Sequence, residues 1–398
     1  MWELFGEKGE KKVEFIELIY DLIFVYLLGR SNELLFHMQG GFFTFQTYVT
    51  FLYSTLVILQ VWYFSSLYIN RYGSNSAADY IGLFINMYLL YYLAEGIRVT
   101  DMSMYPQYNA AWALILLNLA VQYFRQLRHV DAAAPWAARH LKYRGRMLLI
   151  QTAIVLLSIP LFYATGMAFS WVSLVFGFIM AVFAERVDSL VPVNSEYLTE
   201  RVMLFVVFTF GETIVSIGAY FAGTLSFSSV YLSLMAFLIV AGMFLTYGLL
   251  YDKVIDRERD HLEMWYIMIH IGLIIALINI TIALEFMREP EVDTVAKNVF
   301  LVASFLLFYL FLFLLGFYAK FGYRAGTKFF LVQVLMGLVF AALMAANYKN
   351  GYLSIAVTVL YVYGILIMVV RRYRKVNACL EEYFAGTDQE KETLSDGE

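Results

Sequence analysis

Apolar residues run along this chain in long blocks, broken by short clusters of charge, glycine, proline and asparagine. A helix of about 20 apolar residues crosses about 30 Å of hydrocarbon. Blocks of that length fall near 13–36, 44–69, 79–98, 109–127, 147–166, 169–186, 202–222, 228–250, 264–286, 298–319, 329–347 and 352–370. The fifth and sixth are separated only by the short break "YATGMAFS". Strands of a membrane β-barrel would instead be segments of about ten residues with alternating polarity. The pattern therefore predicts an all-α polytopic integral membrane protein of about twelve transmembrane helices.

Composition agrees. Of 398 residues, 61% are hydrophobic and only 15% charged, with a mean hydropathy of +0.68. Soluble domains carry about 25% charged residues. The opening "MWELFGEKGEKKVEF" lacks the small-residue cleavage site of a signal peptide, so the first block is expected to stay as a helix. Net charge is −4 and the basic residues lie in loops, which gives no footprint for nucleic acid. Cys379 is the single cysteine, so no internal disulfide or multi-cysteine metal site can form. No metal-spaced cluster of His or carboxylates stands out, and no cofactor is expected.

Charge also orients the spans. With a cytoplasmic N-terminus, all but Arg30, Arg98, Arg288, Lys297 and Lys349 of the 28 Lys and Arg fall on the inner side. Such a bias supports an even count and two cytoplasmic termini. The expected organisation is a cytoplasmic N-terminus (1–12), a six-helix half (13–186), a cytoplasmic connector (187–201), a second six-helix half (202–370) and an acidic cytoplasmic tail (371–398). Both halves begin on the same side, so any repeat would be parallel. Weak matches at "SSLYINR" with "GLLYDKV", and "YLAEG" with "IALEF", point the same way. The longest loop, "RQLRHVDAAAPWAARHLKYRGR", is strongly basic. It reads as the charge that sets topology, with an interfacial amphipathic helix on anionic lipid as the alternative.

Acids at membrane depth are the candidate chemistry, because a carboxylate in hydrocarbon is costly and tends to be functional. Counted from Lys12, Glu17 and Asp21 lie about 7 Å and about 13 Å deep. At i,i+4 they share a helix face. Glu17 has the simpler reading of a first-turn acid complementing the helix dipole. Glu212 lies about 16 Å beyond Arg201, with Thr209 and Ser216 on its face. Gly211 beside it is expected to admit a neighbouring backbone. A buried structural Glu is the plainer alternative. Glu200 and Arg201 are expected to pair with charges at the cytoplasmic edge. Glu95 and Arg98, three apart, read as a local pair, and Glu185, Arg186 and Asp188 as interfacial. His270 is either a proton relay or a satisfied polar residue. The aromatic stretch "VWYFSSLYINRY" reads as an interfacial belt, dense enough also to line a pocket.

Two of these helices carry a family resemblance. "VEFIELIYDLIFVYLLGRSNELL" resembles the E-L-x-x-D-L-x-F-V opening of the bacterial low temperature requirement A proteins, and "YLTERVMLFVVFTFGETIVSIG" resembles their E-R-x-x-L-F-x-x-x-x-G-E helix. "VWYFSSLYINRYGSNS" is similar to their W-x-x-W-x-x-x-x-N-R-F-x-x-D segment, and "WYIMIHIGLIIALI" to a later helix containing a His. Two positions depart: Tyr197 stands where the family tends to have His, and Ser74 or Ser76 where it tends to have Asp. The resemblance implies a role in growth in the cold, a bacterial plasma-membrane location, and roles for Glu17, Asp21, Glu200, Arg201, Gly211, Glu212 and His270. It implies no particular reaction.

The expected function is a transporter or permease for an unknown small solute or lipid-like substrate, coupled to protons or ions through Glu17, Asp21, Glu212 and His270 and supported by Glu200, Arg201, Gly211, Glu95 and Arg98. A membrane-embedded enzyme acting on a lipid or isoprenoid, and a cation or proton channel, are the alternatives; catalysis is the less favoured class. The expected partners are the bilayer and the substrate, with homo-oligomerisation left open.

Overall fold

Each of the twelve apolar blocks folds as a helix in the computed structural model, which describes residues 12–74, 76–96, 102–131, 134–222, 226–257 and 264–395, with backbone alone from 382 onward. The helices are α1 (Phe15–Asn32), α2 (Phe45–Tyr72), α3 (Ala77–Glu95), α4 (Tyr105–Gln126), α5 (Pro135–Thr165), α6 (Trp171–Phe183), the short α7 (Glu185–Asp188), α8 (Ser195–Ile217), α9 (Phe227–Leu249), α10 (Met264–Arg288), α11 (Thr294–Leu314), α12 (Thr327–Asn347) and α13 (Gly351–Ser395). Local chemistry sets many boundaries. Thr44, Ser76, Ser226 and Asp293 each accept the backbone N–H three residues on, as N-caps do. Gly166 closes α5 at φ 71°, a left-handed cap that glycine adopts without a Cβ penalty.

Among the described residues, nine helices are long and apolar enough to cross a membrane: α2, α3, α5, α8 with its 3₁₀ extension to Phe221, α9, α10, α11, α12 and α13. The other three expected spans fall short for visible reasons. Helix α1 carries Glu17, Asp21 and Arg30 within 18 residues. Helix α4 carries Asn109, Asn118 and Gln122. Helix α6 has only 13 residues, about 20 Å. The outward faces are apolar, as on α12, where Leu331, Val334, Leu335 and Leu338 are all exposed. A helix apolar on its outer face needs an apolar surrounding, which marks an integral membrane protein.

The chain divides into two compact units, one of residues 1–212 with 257–278, the other of 213–256 with 279–398. In the first, α1 packs on α2 and α3, α3 on α4, α4 on α5 and α5 on α6. Glycine allows the tightest of these contacts: a Cβ on Gly177 of α6 would stand 2.6 Å from the amides of both Gln60 and Gln151. In the second unit α9 packs on α13, and α12 on α11 and α13. There Phe340 and Tyr361 stack at 4.2 Å, and Thr213 and Thr281 share a 2.7 Å hydroxyl hydrogen bond.

Three expectations are corrected. The stretch 61–72 is core rather than an interfacial belt: Trp62, Tyr63, Phe64, Tyr68 and Tyr72 are all buried. Helix α5 starts at Pro135, three turns before the apolar block at 147. It can do so because its early charges divide between two faces, Arg139, Lys142 and Arg146 being exposed while His140 and Arg144 are buried. Asp188 is buried rather than interfacial, for the same reason: it meets those two side chains.

Candidate functional site

Helices α1 and α8 meet through charge. Glu17 and Asp21 share a face of α1, as their spacing requires. Both reach Arg201 of α8: Nη1 donates to Glu17 Oε2 at 3.0 Å and Nη2 to Asp21 Oδ1 at 3.0 Å. The Tyr197 hydroxyl, one turn earlier on α8, donates to the same Glu17 oxygen. From α2, Trp62 Nε1 donates to Asp21 Oδ1 at 2.9 Å, and the Trp62 ring stacks on Phe205 of α8 at 4.4 Å. Glu17, Asp21, Tyr197 and Arg201 are all essentially inaccessible to solvent. Further along the same two helices, a Cβ on Gly29 would stand 2.6 Å from Glu212 Oε1. Glu17 with Tyr197 and Arg201, Asp21 with Arg201, and Gly29 with Glu212 succeed one another in the same direction, so α1 and α8 run parallel.

Among the described residues the charges in this cluster do not balance. Two carboxylates share one guanidinium there, and no hydrogen bond from those residues reaches Asp21 Oδ2 or Arg201 Nε. An isolated buried charge is so costly that such a group usually acquires a proton or a counter-ion. The surplus acid therefore calls for one proton or one small cation. Beside the cluster runs a buried polar thread. Tyr20 and Ser65 hydroxyls are 2.9 Å apart, Asn86 donates to Tyr20 at 3.3 Å, and Asn118 donates to Asn86 at 2.7 Å.

The remaining sequence candidates are dispersed. Glu212 is half-buried, and among the described residues no ion pair reaches it. Gly211 faces open space, so the close approach expected there is made instead by Gly29 onto the Glu212 carboxylate. His270 is buried within the first unit, with Nδ1 donating to the Tyr266 carbonyl at 2.9 Å. Glu200 is half-buried and is not a member of the Arg201 cluster, because it lies on another face of α8. Glu95 stands 3.7 Å from Arg30, and Arg98 lies outside the described residues.

A second buried cluster was not foreseen. Arg144 of α5 makes a two-pronged pair with Asp188, its Nε donating to Oδ1 at 3.0 Å and its Nη2 to Oδ2. His140 Nε2 bonds Asp188 Oδ1 at 3.0 Å, and the Tyr72 hydroxyl meets His140 Nδ1 at 2.7 Å. Because a carboxylate only accepts, Nε2 carries the ring proton and Tyr72 donates to Nδ1. Arg71 Nη2 stands 4.0 Å from Asp188, and Arg71 Nε donates to the Val191 carbonyl at 2.7 Å. Asn70 closes the set by exchanging hydrogen bonds with the Asn194 backbone at 3.0 and 2.9 Å. Burial alone would push the Asp188 carboxyl up. Arg144, His140 and Arg71 outweigh it and hold Asp188 well below the usual carboxylate range. The Asn-Arg pair at 70–71 was the available signal, but its acidic partner is more than a hundred residues away in sequence.

The two positions that depart from the resemblance both make side-chain contacts. Tyr197 supplies its hydroxyl to Glu17. Beside the Asn-Arg segment, Asp79 supplies the carboxylate: it accepts from Ser74 N and Oγ at 3.0 and 2.8 Å and pairs with Arg125.

No curated protein and no solved structure matches the chain. A family model does, that of the bacterial low temperature requirement A protein (LtrA), over residues 12–369. With nearly the whole chain matched, and with the acidic α1 and the Glu-Arg helix α8 joined at one buried guanidinium, the chain belongs to the bacterial low temperature requirement A family of membrane proteins.

Proposed function

We propose that this protein is an ion-coupled transporter of the bacterial plasma membrane with twelve crossings and both termini cytoplasmic. The observation that carries the reading is the surplus buried acid at Arg201, shared between two parallel helices. A guanidinium that bonds two carboxylates at once neutralises only one of them, and a proton or cation taken up by the second changes how tightly the pair of helices is held. Such an element links ion occupancy to the relative position of α1 and α8. The parallel course of those helices supports the topology, since five crossings lie between α1 and α8 and an odd number makes both start on the same side. Asp21 and Glu17, held dry by Arg201, act here as the coupling clamp. Glu212, half-buried on the same helix pair and without an ion-pair partner among the described residues, is the carboxylate that exchanges with the solute path.

The test is proton movement into liposomes containing the purified protein, loaded with a pH-sensitive dye and driven by a potassium diffusion potential. Proton uptake that saturates with the proton gradient, and that falls to the protein-free background in Glu212→Gln, is the expected result. Uptake that never saturates would make the protein a channel. Wild-type liposomes no leakier than empty ones, or Glu212→Gln as active as wild type, would overturn the reading.

A further inference from the structure

The opening turns of α5 and the end of α6 border a groove of about 560 Å³, lined on the α5 side by Arg139, Lys142, Tyr143, Arg146, Met147 and Ile150. Its chemistry is graded along the helix axis. Arg139, Lys142 and Arg146 recur at i, i+3 and i+7, so all three line one face. They are exposed, and among the described residues no carboxylate stands within ion-pair distance of them. One turn on, the lining becomes Met147 and Ile150, with Met180 opposite. The cationic part spans about 10 Å and the apolar floor continues about 6 Å further into the apolar stretch of α5. Charges that serve only to orient a span have no need of a cavity with an apolar floor.

Tyr143, on the groove side, adds an amphipathic ring of the type that sits at headgroup level.

We propose that this groove is a binding site for an acidic phospholipid, with the headgroup phosphate on Arg139, Lys142 and Arg146 and an acyl chain along Met147, Ile150 and Met180. The site is separate from the α1–α8 cluster and rests only on α5 being a membrane span. Cations beside a membrane surface attract anionic lipid by electrostatics, and a defined groove turns that attraction into a stoichiometric site.

Native mass spectrometry of the full chain released from mixed micelles tests this, with phosphatidylglycerol and phosphatidylcholine offered together. The expected result is one retained phosphatidylglycerol, and a loss of preference of at least about tenfold in the triple Arg139→Gln, Lys142→Gln, Arg146→Gln variant. Neutralising Arg371, Arg374 and Lys375 instead should leave retention unchanged. Ile150→Glu keeps all three cations but makes the floor polar, and should also lose the lipid. Inorganic phosphate in millimolar excess should not displace it. Displacement by phosphate would show an anion site with no acyl requirement. Equal retention of both lipids, or equal loss in the control variant, would show unspecific charge attraction. Each of these results overturns the proposal.

Discussion

Arg201 Nη2 of α8 donates to Asp21 Oδ1 of α1 at 3.0 Å, while its other terminal nitrogen serves Glu17 at the same distance. One cation thus holds two acids in a site closed to solvent. The order of mutational costs follows. Asp21→Asn leaves a one-to-one pair and should be mild. Arg201→Leu leaves two unpaired buried carboxylates and should cost about 3–5 kcal/mol. Unfolding midpoints in detergent check the order, and a variant lacking Asp21 that is less stable than one lacking Arg201 would contradict the surplus of acid.

Tyr197 tests the same site from its neutral side. Its hydroxyl is the donor to Glu17 that the guanidinium does not supply. Tyr197→Phe keeps the ring and removes that donor, and should lower stability by about 1–3 kcal/mol. In combination with Glu17→Gln the two losses should be less than additive, because they remove one shared interaction.

Gly29 limits the room for Glu212. A methyl group there would stand 2.6 Å from Glu212 Oε1. Gly29→Ala should therefore displace the carboxylate and reduce the proton uptake proposed above, at about 1–3 kcal/mol of overpacking. Glu212→Ala should remove the stability cost of Gly29→Ala without restoring uptake, which the same liposome assay and a melting curve read separately.

Gly177 is a purely structural counterpart. The amides of Gln60 and Gln151 lie 2.6 Å from where its Cβ would be, and Gln60 also donates to the Leu174 carbonyl at 2.9 Å. Gly177→Ala is expected to destabilise by about 1–3 kcal/mol and to leave the saturation of proton uptake unchanged in the protein that remains folded.

Asp188 predicts a pH response. Its carboxyl is held below its unfolded value of about 3.9. A depressed acid stabilises the fold fully above the unfolded value and loses that contribution as pH falls through the folded one. Lowering pH from 7 to about 5 should therefore leave the Arg144–Asp188 contribution intact. Wild type minus Asp188→Asn melting temperatures should be constant over that range and shrink only at pH below about 4. A difference that stayed constant through pH 4 and below would mean the carboxyl has the same pKa folded and unfolded.

The sequence by itself determined the membrane character, the approximate place of the apolar helices and the acids worth watching, because apolar length and buried charge are properties of contiguous residues. It also marked α1 and α8 as the helices that carry the family pattern. What it could not specify was partnership. That Glu17 and Asp21 meet Arg201 about 180 residues away, that Asp188 meets Arg144, and that Gly29 rather than Gly211 makes the close approach at Glu212, are outcomes of packing. The early start of α5 is of the same kind. A helix with four Lys and Arg between residues 139 and 146 looks like a loop until Asp188 buries one of them and the groove leaves the other three exposed. Local pattern fixes which segments enter the bilayer. Only the three-dimensional neighbours of a charge decide whether it is paired, shared or left open.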